Sequence, residues 1–327
     1  MIKQVIEIKR EEWQILLAHS STASYFQSPE CYDFYCSLSF LEPFGWGVWE
    51  GKELKALVIG YIIANGGKLK QFFSRRAIIH GGMLLANNVS EDAISELLGE
   101  LKHSLSKQVI YIEIRNANSY INHKAIFAKH GFEYNAHHNY IVKTDTIEQV
   151  ISRYSESKVR QLRNIQERGV VCVQTTCKND IDRFYQILED LYRKKIKKPL
   201  YPKEFFDKFV HQSGCYLFVV KNDEKIIGGI ACSSLTDKAV YEWFICGDTK
   251  NFNHLYPSVL ATHTGIEYAV KNGFEYFDFM GAERYGVREF KSKFGGELVE
   301  HGRFKYIVNP LLYAIGRIYI KLLTQEK

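Results

Sequence analysis

Between Phe277 and Gly296 the chain concentrates residue types that can act on an anion. A strand-like apolar run ends at Met280 and enters a loop with Gly281 and Gly286. Arg288, Lys291 and Lys293 follow, interleaved with Phe290 and Phe294, before Gly295-Gly296. Ligands settle where strands end and where glycine lets a backbone come close. A cation flanked there by two benzyl side chains is partly dehydrated, which strengthens its pull on a developing oxyanion or a phosphate. Without a ligand, the same segment reads as a basic turn over two core phenylalanines.

A second cationic region lies upstream. The net charge is +6, and residues 151–210 hold 14 basic against 8 acidic side chains, so the whole excess sits in that stretch. Arg160 and Arg163, at i and i+3 of a helical pattern, share a face and could grip a phosphate. Lys194, Lys195, Lys197 and Lys198 cluster before Pro199; a tRNA acceptor end, a diphosphate head group or an anionic lipid would satisfy them. A solvated basic helix face is the bland alternative. The seven cysteines contain no Cys-x-x-Cys pair and read as small buried hydrophobes of a reduced compartment, so neither a metal nor a disulfide framework is expected. The first 20 residues do not read as a secretory signal and no apolar run reaches the length of a membrane span, so a cytoplasmic location is expected.

Positioning these groups requires a scaffold. Helical patterns at 91–106, 156–168, 180–195 and 202–212 alternate with strand patterns at 54–64, 109–114, 215–221, 225–235, 239–246 and 275–280. Hairpins mixed with crossovers predict an α+β fold, each lobe a mixed, mostly antiparallel sheet flanked by helices. Lys129-His130-Gly131-Phe132-Glu133-Tyr134 recurs 142 residues later as Lys271-Asn272-Gly273-Phe274-Glu275-Tyr276, and both copies close a helix and open a strand. That spacing points to two duplicated lobes, residues 1–148 and 149–308, joined by a linker near 144–152. An apolar helix over 309–327 follows, too short to span a bilayer. It is expected to dock on the first lobe, with shallow attachment to the inner membrane face as the alternative. Gly66-Gly67 and Gly81-Gly82 read as turn or bulge positions.

The Phe277–Gly296 stretch closely resembles the C-terminal signature of the FemABX-like proteins. These are the peptidoglycan interpeptide-bridge aminoacyltransferases and their acyltransferase relatives, built from two tandem lobes of the GNAT (acyl-CoA N-acyltransferase-like) fold. Three other segments agree. Phe26-Gln27-Ser28-Pro29 is similar to the family's early element. Ser157-Lys158-Val159-Arg160-Gln161-Leu162-Arg163-Asn164 is similar to its basic helix opening the second lobe. The run Arg193 to Leu200, followed by Phe205-Phe206, is similar to its central helix-turn-helix.

The resemblance implies N-acyl transfer. A primary amine attacks an activated carbonyl through a tetrahedral oxyanion, which a fixed cation stabilises. Carried over residue by residue, that cation is Lys291, with Phe290 as its packing partner. Arg288 and Tyr285 are candidates for orienting substrate. Tyr241 and Trp243 could line the same cleft, although core packing also accounts for both. Lys203 stands near the position of an Arg that cell-wall members carry before the aromatic pair. No metal and no tightly held cofactor is implied. The acyl donor is a co-substrate, aminoacyl-tRNA or, as an alternative, acyl-CoA. The acceptor implied is an amine of a peptidoglycan-type envelope precursor. An acyl-CoA-dependent enzyme acting on an amino sugar or a lipid amine is the second reading, and a non-catalytic tandem GNAT scaffold binding RNA or membrane is the third.

Two segments depart from the relatives. Residues 30–35 offer no Lys where the cell-wall enzymes hold a nucleotide-sugar phosphate. Residues 247–257 contain one Gly and several bulky side chains where coenzyme A-dependent GNAT enzymes cradle pyrophosphate against a helix N-terminus. The latter argues against standard coenzyme A binding in the second lobe. No His or carboxylate is marked by spacing as the general base, so positioning of the two substrates is left to supply most of the rate.

Overall fold

The computed structural model describes residues 1–64 and 73–325, with side chains of the final helix described through residue 318. The Gly66-Gly67 turn expected from sequence lies outside the described residues. The chain divides into two compact units: Met1–His137 with His301–Lys327, and His138–Glu300.

The first unit runs β1 (Ile2–Gln4), α1 (Arg10–His19), α2 (Pro29–Ser37), β2 (Glu42–Glu50), β3 (Glu53–Ile63), β4 (Arg76–Gly81), β5 (Leu84–Leu85), α3 (Glu91–Leu105), β6 (Tyr111–Asn116), α4 (Lys124–Lys129) and β7 (Glu133–Asn135). The second runs β8 (His138–Lys143), α5 (Ile147–Ser152), α6 (Glu156–Glu167), β9 (Val171–Gln174) and α7 (Lys178–Leu191). A π-helical turn at Tyr192–Ile196 leads to α8 (Lys203–Phe209), β10 (Cys215–Asn222), β11 (Lys225–Leu235), β12 (Ala239–Gly247), α9 (Thr249–Phe252), α10 (Pro257–Lys271), β13 (Tyr276–Asp278), α11 (Tyr285–Ser292) and β14 (Glu297–Glu300). The chain then returns to the first unit through β15 (Arg303–Ile307) and α12 (Pro310–Gln325).

Both sheets follow one topology. The first is ordered β1-β2-β3-β4-β6-β15-β7, with β5 paired to β3; the second is ordered β9-β10-β11-β12-β13-β8-β14. All neighbours are antiparallel except β4–β6 and β12–β13. The long strands β3 and β11 are buried over almost their whole length, as expected where elements pack on both faces of a sheet. Helix α3 shows the logic locally. Ser90 caps it by accepting a hydrogen bond from the Ala93 amide at 3.1 Å, and Ala93, Ile94, Leu97, Leu98, Leu101 and Leu105 form its buried stripe. Full burial of each leucine stabilises the unit by about 1.5–3 kcal/mol.

Matching the two sheet orders pairs β15 with β8 as equivalent strands. Each is the strand that sequence order would assign to the other unit, so the units exchange strands. The boundary therefore falls at His137/His138, not at residue 148, and the second unit ends at Glu300, not at 308. Residues 147–152, read from sequence as linker, form α5, with Thr146 and Gln149 in a capping box. The duplication expected from sequence is present, but the six-residue echo is not its register. Lys129–Tyr134 leads into β7, whose equivalent is β14; Lys271–Tyr276 leads into β13, whose equivalent is β6. The true counterparts β7 and β14 open at residues 133 and 297. The echo arose because Gly131 (φ 81°) and Gly273 (φ 72°) solve the same local problem, ending a helix with a left-handed residue before a strand.

In α12, Tyr313 meets Tyr111 of β6 with ring centroids 5.5 Å apart, while Leu311, Ile315 and Ile318 stay exposed. Among the described residues no helix is long and apolar enough to cross a membrane.

Candidate active site

Strands β12 and β13 are joined at Ala239–Tyr276, Val240–Phe277 and Tyr241–Asp278, and then part. Both sequences enforce the opening. In β12, Cys232 of β11 faces Glu242 while Ala231 faces Phe244, so Trp243 is an extra, bulged residue. After β13, Met280 (φ 58°) and Gly281 (φ 133°) turn the chain away. The gap holds a pocket of about 180 Å³ lined by Glu242, Trp243, Phe244, Phe279 and Lys291, with Tyr192 and Ile196 of the π-helical turn on another wall. A larger groove of about 460 Å³ lies in the first unit beside α1. Its Lys55 is held by Glu53 and Asn88, and its Asn87 bonds Ser21 and His19. The chemistry therefore points to the smaller pocket.

Lys291 sits in the last turn of α11, a helix where the sequence reads as a short basic segment or turn. Its residue is 7% exposed, and its ammonium donates to the carbonyls of Phe279 (2.5 Å) and Gly281 (2.9 Å) and to Glu242 Oε1 (2.9 Å). All three N–H groups of the ammonium are thus engaged. The Glu242 side chain is 3% exposed, and among the described residues its Oε2 has no hydrogen-bond partner. Leaving such an acceptor dry costs about 1–3 kcal/mol. Burial pushes the Glu242 carboxyl above its ordinary range; the Lys291 charge opposes that shift and the Asp278 charge adds to it.

The carbonyls that hold Lys291 are themselves fixed. Asp278 Oδ1 accepts hydrogen bonds from Asn139 Nδ2 at 2.5 Å and from the Met280 amide at 2.6 Å. Asn139 Oδ1 accepts from the Gly281 amide at 2.7 Å. The exchanged strand β8, which carries Asn139, thus sets the turn beside the pocket. Asn139, Asp278 and Glu242 were not singled out in the sequence. Glu242 did leave a signal: a carboxylate between Tyr241 and Trp243 in an otherwise apolar strand.

One sequence expectation is corrected. The cation on Phe290 and Phe294 is Lys158, whose ammonium lies 4.1 Å and 4.9 Å from the two ring centroids; Lys291 instead lies 5.2 Å from Phe279. On a helix, neighbours 290 and 291 point about 100° apart, so Phe290 pairs with Phe294 at i+4 and faces α6 while Lys291 turns to the pocket. Burial, helped by the Lys293 charge, lowers Lys158 to about 8.

The remaining candidates divide. Trp243 lines the pocket. Tyr241 is fully buried in the sheet. The Arg288 guanidinium caps the Ala282 carbonyl at 3.0 Å. Tyr285 is 83% exposed, and Arg160 and Arg163 are exposed on α6. Lys203 is bound between Asp182 and Asp207, each at 2.6 Å, which raises its pKa and neutralises it as a free phosphate ligand. Among the described residues no group of three His, Cys, Asp or Glu side chains is placed to hold a metal.

Residues 219–321 match the FemAB family model. No curated protein matches. Among solved structures, FemX superposes with a TM-score of 0.72 at 14% identity, covering 96% of this chain and 99% of that one. The C-terminal domain of a lysylphosphatidylglycerol synthetase from Agrobacterium fabrum gives 0.59 at 10% identity, with 96% of each chain covered. A tandem GNAT protein from the clavulanic acid pathway gives 0.59 at 9% identity, covering 95% and 99%. The fold is thus the tandem GNAT fold, and the segment that matches the FemAB family model spans the pocket strands and α11.

Proposed function

We propose that this protein is a FemABX-type N-acyltransferase working at the β12–β13 opening. The observation that carries the reading is a buried ammonium, Lys291, on the wall of a pocket in the FemAB-matching segment. A primary amine attacks the carbonyl of an activated acyl ester. The N–C bond forms, the ester C–O bond breaks, and the alcohol leaves with a proton. With its three N–H groups already engaged, Lys291 acts chiefly as a fixed charge that lowers the energy of the tetrahedral oxyanion in a low-dielectric site. Phe290 and Arg288 hold α11 and the loop before it in place rather than touching the reacting atoms.

The donor proposed is aminoacyl-tRNA and the acceptor an envelope-precursor amine of the peptidoglycan type, with the reaction in the cytoplasm where such donors are made. The π-helical turn that lines the pocket carries Arg193, Lys194 and Lys195, and Lys197 follows it; Arg193 and Lys194 share one carboxylate, Asp190, at 2.5 Å each, so the turn stays net positive and offers a rim for a phosphate backbone. The acyl-CoA alternative is disfavoured by the start of α10. Pro257 has no N–H, and the Val259 and Leu260 amides both bond the Tyr256 carbonyl, which removes most of the usual pyrophosphate donors. The test is transfer of labelled aminoacyl groups from charged tRNA to envelope precursors, read by mass spectrometry, with calorimetric titration of coenzyme A alongside. Transfer from tRNA with no coenzyme A heat is expected. Coenzyme A binding with acyl-CoA turnover would replace the donor, and no transfer from either would end the reading.

A further inference from the structure

The buried Glu242 carboxylate is paired with the Lys291 ammonium through Oε1 and carries the charge of the buried Asp278 beside it. The nearby guanidinium groups are turned to carbonyls, Arg284 to Ile196 and Arg288 to Ala282. Lys291 has spent its donors, so what the pocket still lacks is a donor for Glu242 Oε2, an almost fully buried atom with no partner among the described residues. Trp243 and Tyr192 add aromatic walls, which favour a cation over an anion. A carbonyl, carboxylate or phosphate oxygen at Oε2 itself would face a carboxylate oxygen; the oxyanion proposed above is stabilised at a distance by the Lys291 charge and does not occupy this point.

We infer that the pocket is a primary-ammonium subsite, in which Glu242 Oε2 receives an amino group of a substrate. This rests on the transferase reading and adds the recognition element that reading left open. The amino group has two possible sources: the attacking amine of the acceptor, or the free α-amino group of the aminoacyl unit in transit.

Trp243 offers a readout that needs no turnover, because the other three tryptophans, Trp13, Trp46 and Trp49, lie in the first unit. The full chain is titrated at constant ionic strength with n-propylammonium chloride, n-propanol and tetramethylammonium chloride, and the Trp243→Phe variant supplies the background. A saturable change with propylammonium alone is expected, with at least tenfold weaker half-saturation in Glu242→Gln. An equal response to propanol, no response to propylammonium, or an unaltered response in Glu242→Gln would each overturn the subsite. The wild-type comparison decides even if the variant does not fold. The sources are separated by donors bearing a free or an N-acetylated α-amino group. A wild-type preference for the free amine that Glu242→Gln abolishes assigns the donor. An acid shift of the rising limb of kcat in Glu242→Gln, with no such preference, assigns the acceptor, because loss of the carboxylate lowers the pKa of the bound amine. If no acyl transfer occurs with any donor while the ammonium response persists, the function falls and the subsite stands.

Discussion

The two units share a strand order but treat their parallel strand pair in opposite ways. In the second unit β12 and β13 separate after three register pairs and leave a pocket; in the first, β4 and β6 stay joined through five, to Gly81–Asn116. The first unit fills the corresponding end. Gln27 donates to the carbonyls of Gly81 and Thr22, and the Tyr120 hydroxyl bonds the Met83 carbonyl. His80 is buried against the Tyr61 hydroxyl at 3.0 Å, and burial holds its pKa well below the usual range. The element Phe26-Gln27-Ser28-Pro29 is thus a plug and a helix cap here, with Ser28 accepting from the Cys31 amide. One topology gives a site where the sheet is held open around an incomplete polar pair, and a core end filled by Gln27, Tyr120 and His80, whose polar groups are paired.

The harshest test of that contrast is Lys291→Met. Activity is expected to fall by roughly 10²–10³-fold. Stability should also fall, by about 3–5 kcal/mol, because Glu242 loses its counter-charge in a buried site. Adding Glu242→Gln should restore the melting temperature and not the activity; retained turnover in the single variant would show that the open unit is not where the reaction occurs. The closed unit should respond differently. A Cβ at Gly82 (φ 90°) would lie 2.5 Å from the Tyr120 hydroxyl, so Gly82→Ala should cost about 1–3 kcal/mol in denaturant unfolding. The protein that remains folded should keep its kcat.

Lys158→Met sharpens the comparison from the α6 side, with a gain of about 1–2 kcal/mol expected as desolvation is relieved and the ring contacts are lost. The pH dependence has a definite sign. The Lys158 pKa is lowered in the folded state, so between about 8 and the ordinary lysine value the unfolded chain binds more protons. Stability attributable to this residue should rise with pH across that window, and the difference between wild type and Lys158→Met should shrink between pH 8 and 9.5. The smallest effect is expected for Arg160→Ala with Arg163→Ala, exposed positions where unfolding should change by less than about 0.5 kcal/mol.

Local order was legible where one residue type dominates a period. Helix α3, the β10–β11 hairpin and the second-unit core strands follow from apolar spacing and Gly or Asn-Asp turns. Lys291 was reachable because its motif is compact in sequence. Glu242 and Asn139 were not, since their roles depend on a bulge and on a strand that arrives from outside its own sequence neighbourhood. Lys158 reads from sequence only as part of a basic helix; its contact with Phe290 spans more than 130 residues, and no local pattern encodes it. The boundary at 148 failed for the same reason, because β8 follows β7 after two residues yet pairs with β13 and β14.

The exchange of β8 and β15 makes the arrival of β15 a condition of completing the first sheet. As the chain leaves the ribosome, β6 and β7 have no strand to fill the slot between them until Arg303–Ile307 appears, about 170 residues later. Until then the nascent first half carries two unpaired strand edges, the feature that invites mispairing between chains. A fragment cut at the midpoint would keep that vacancy permanently, and mixing it with the missing half should rescue both pieces together or neither.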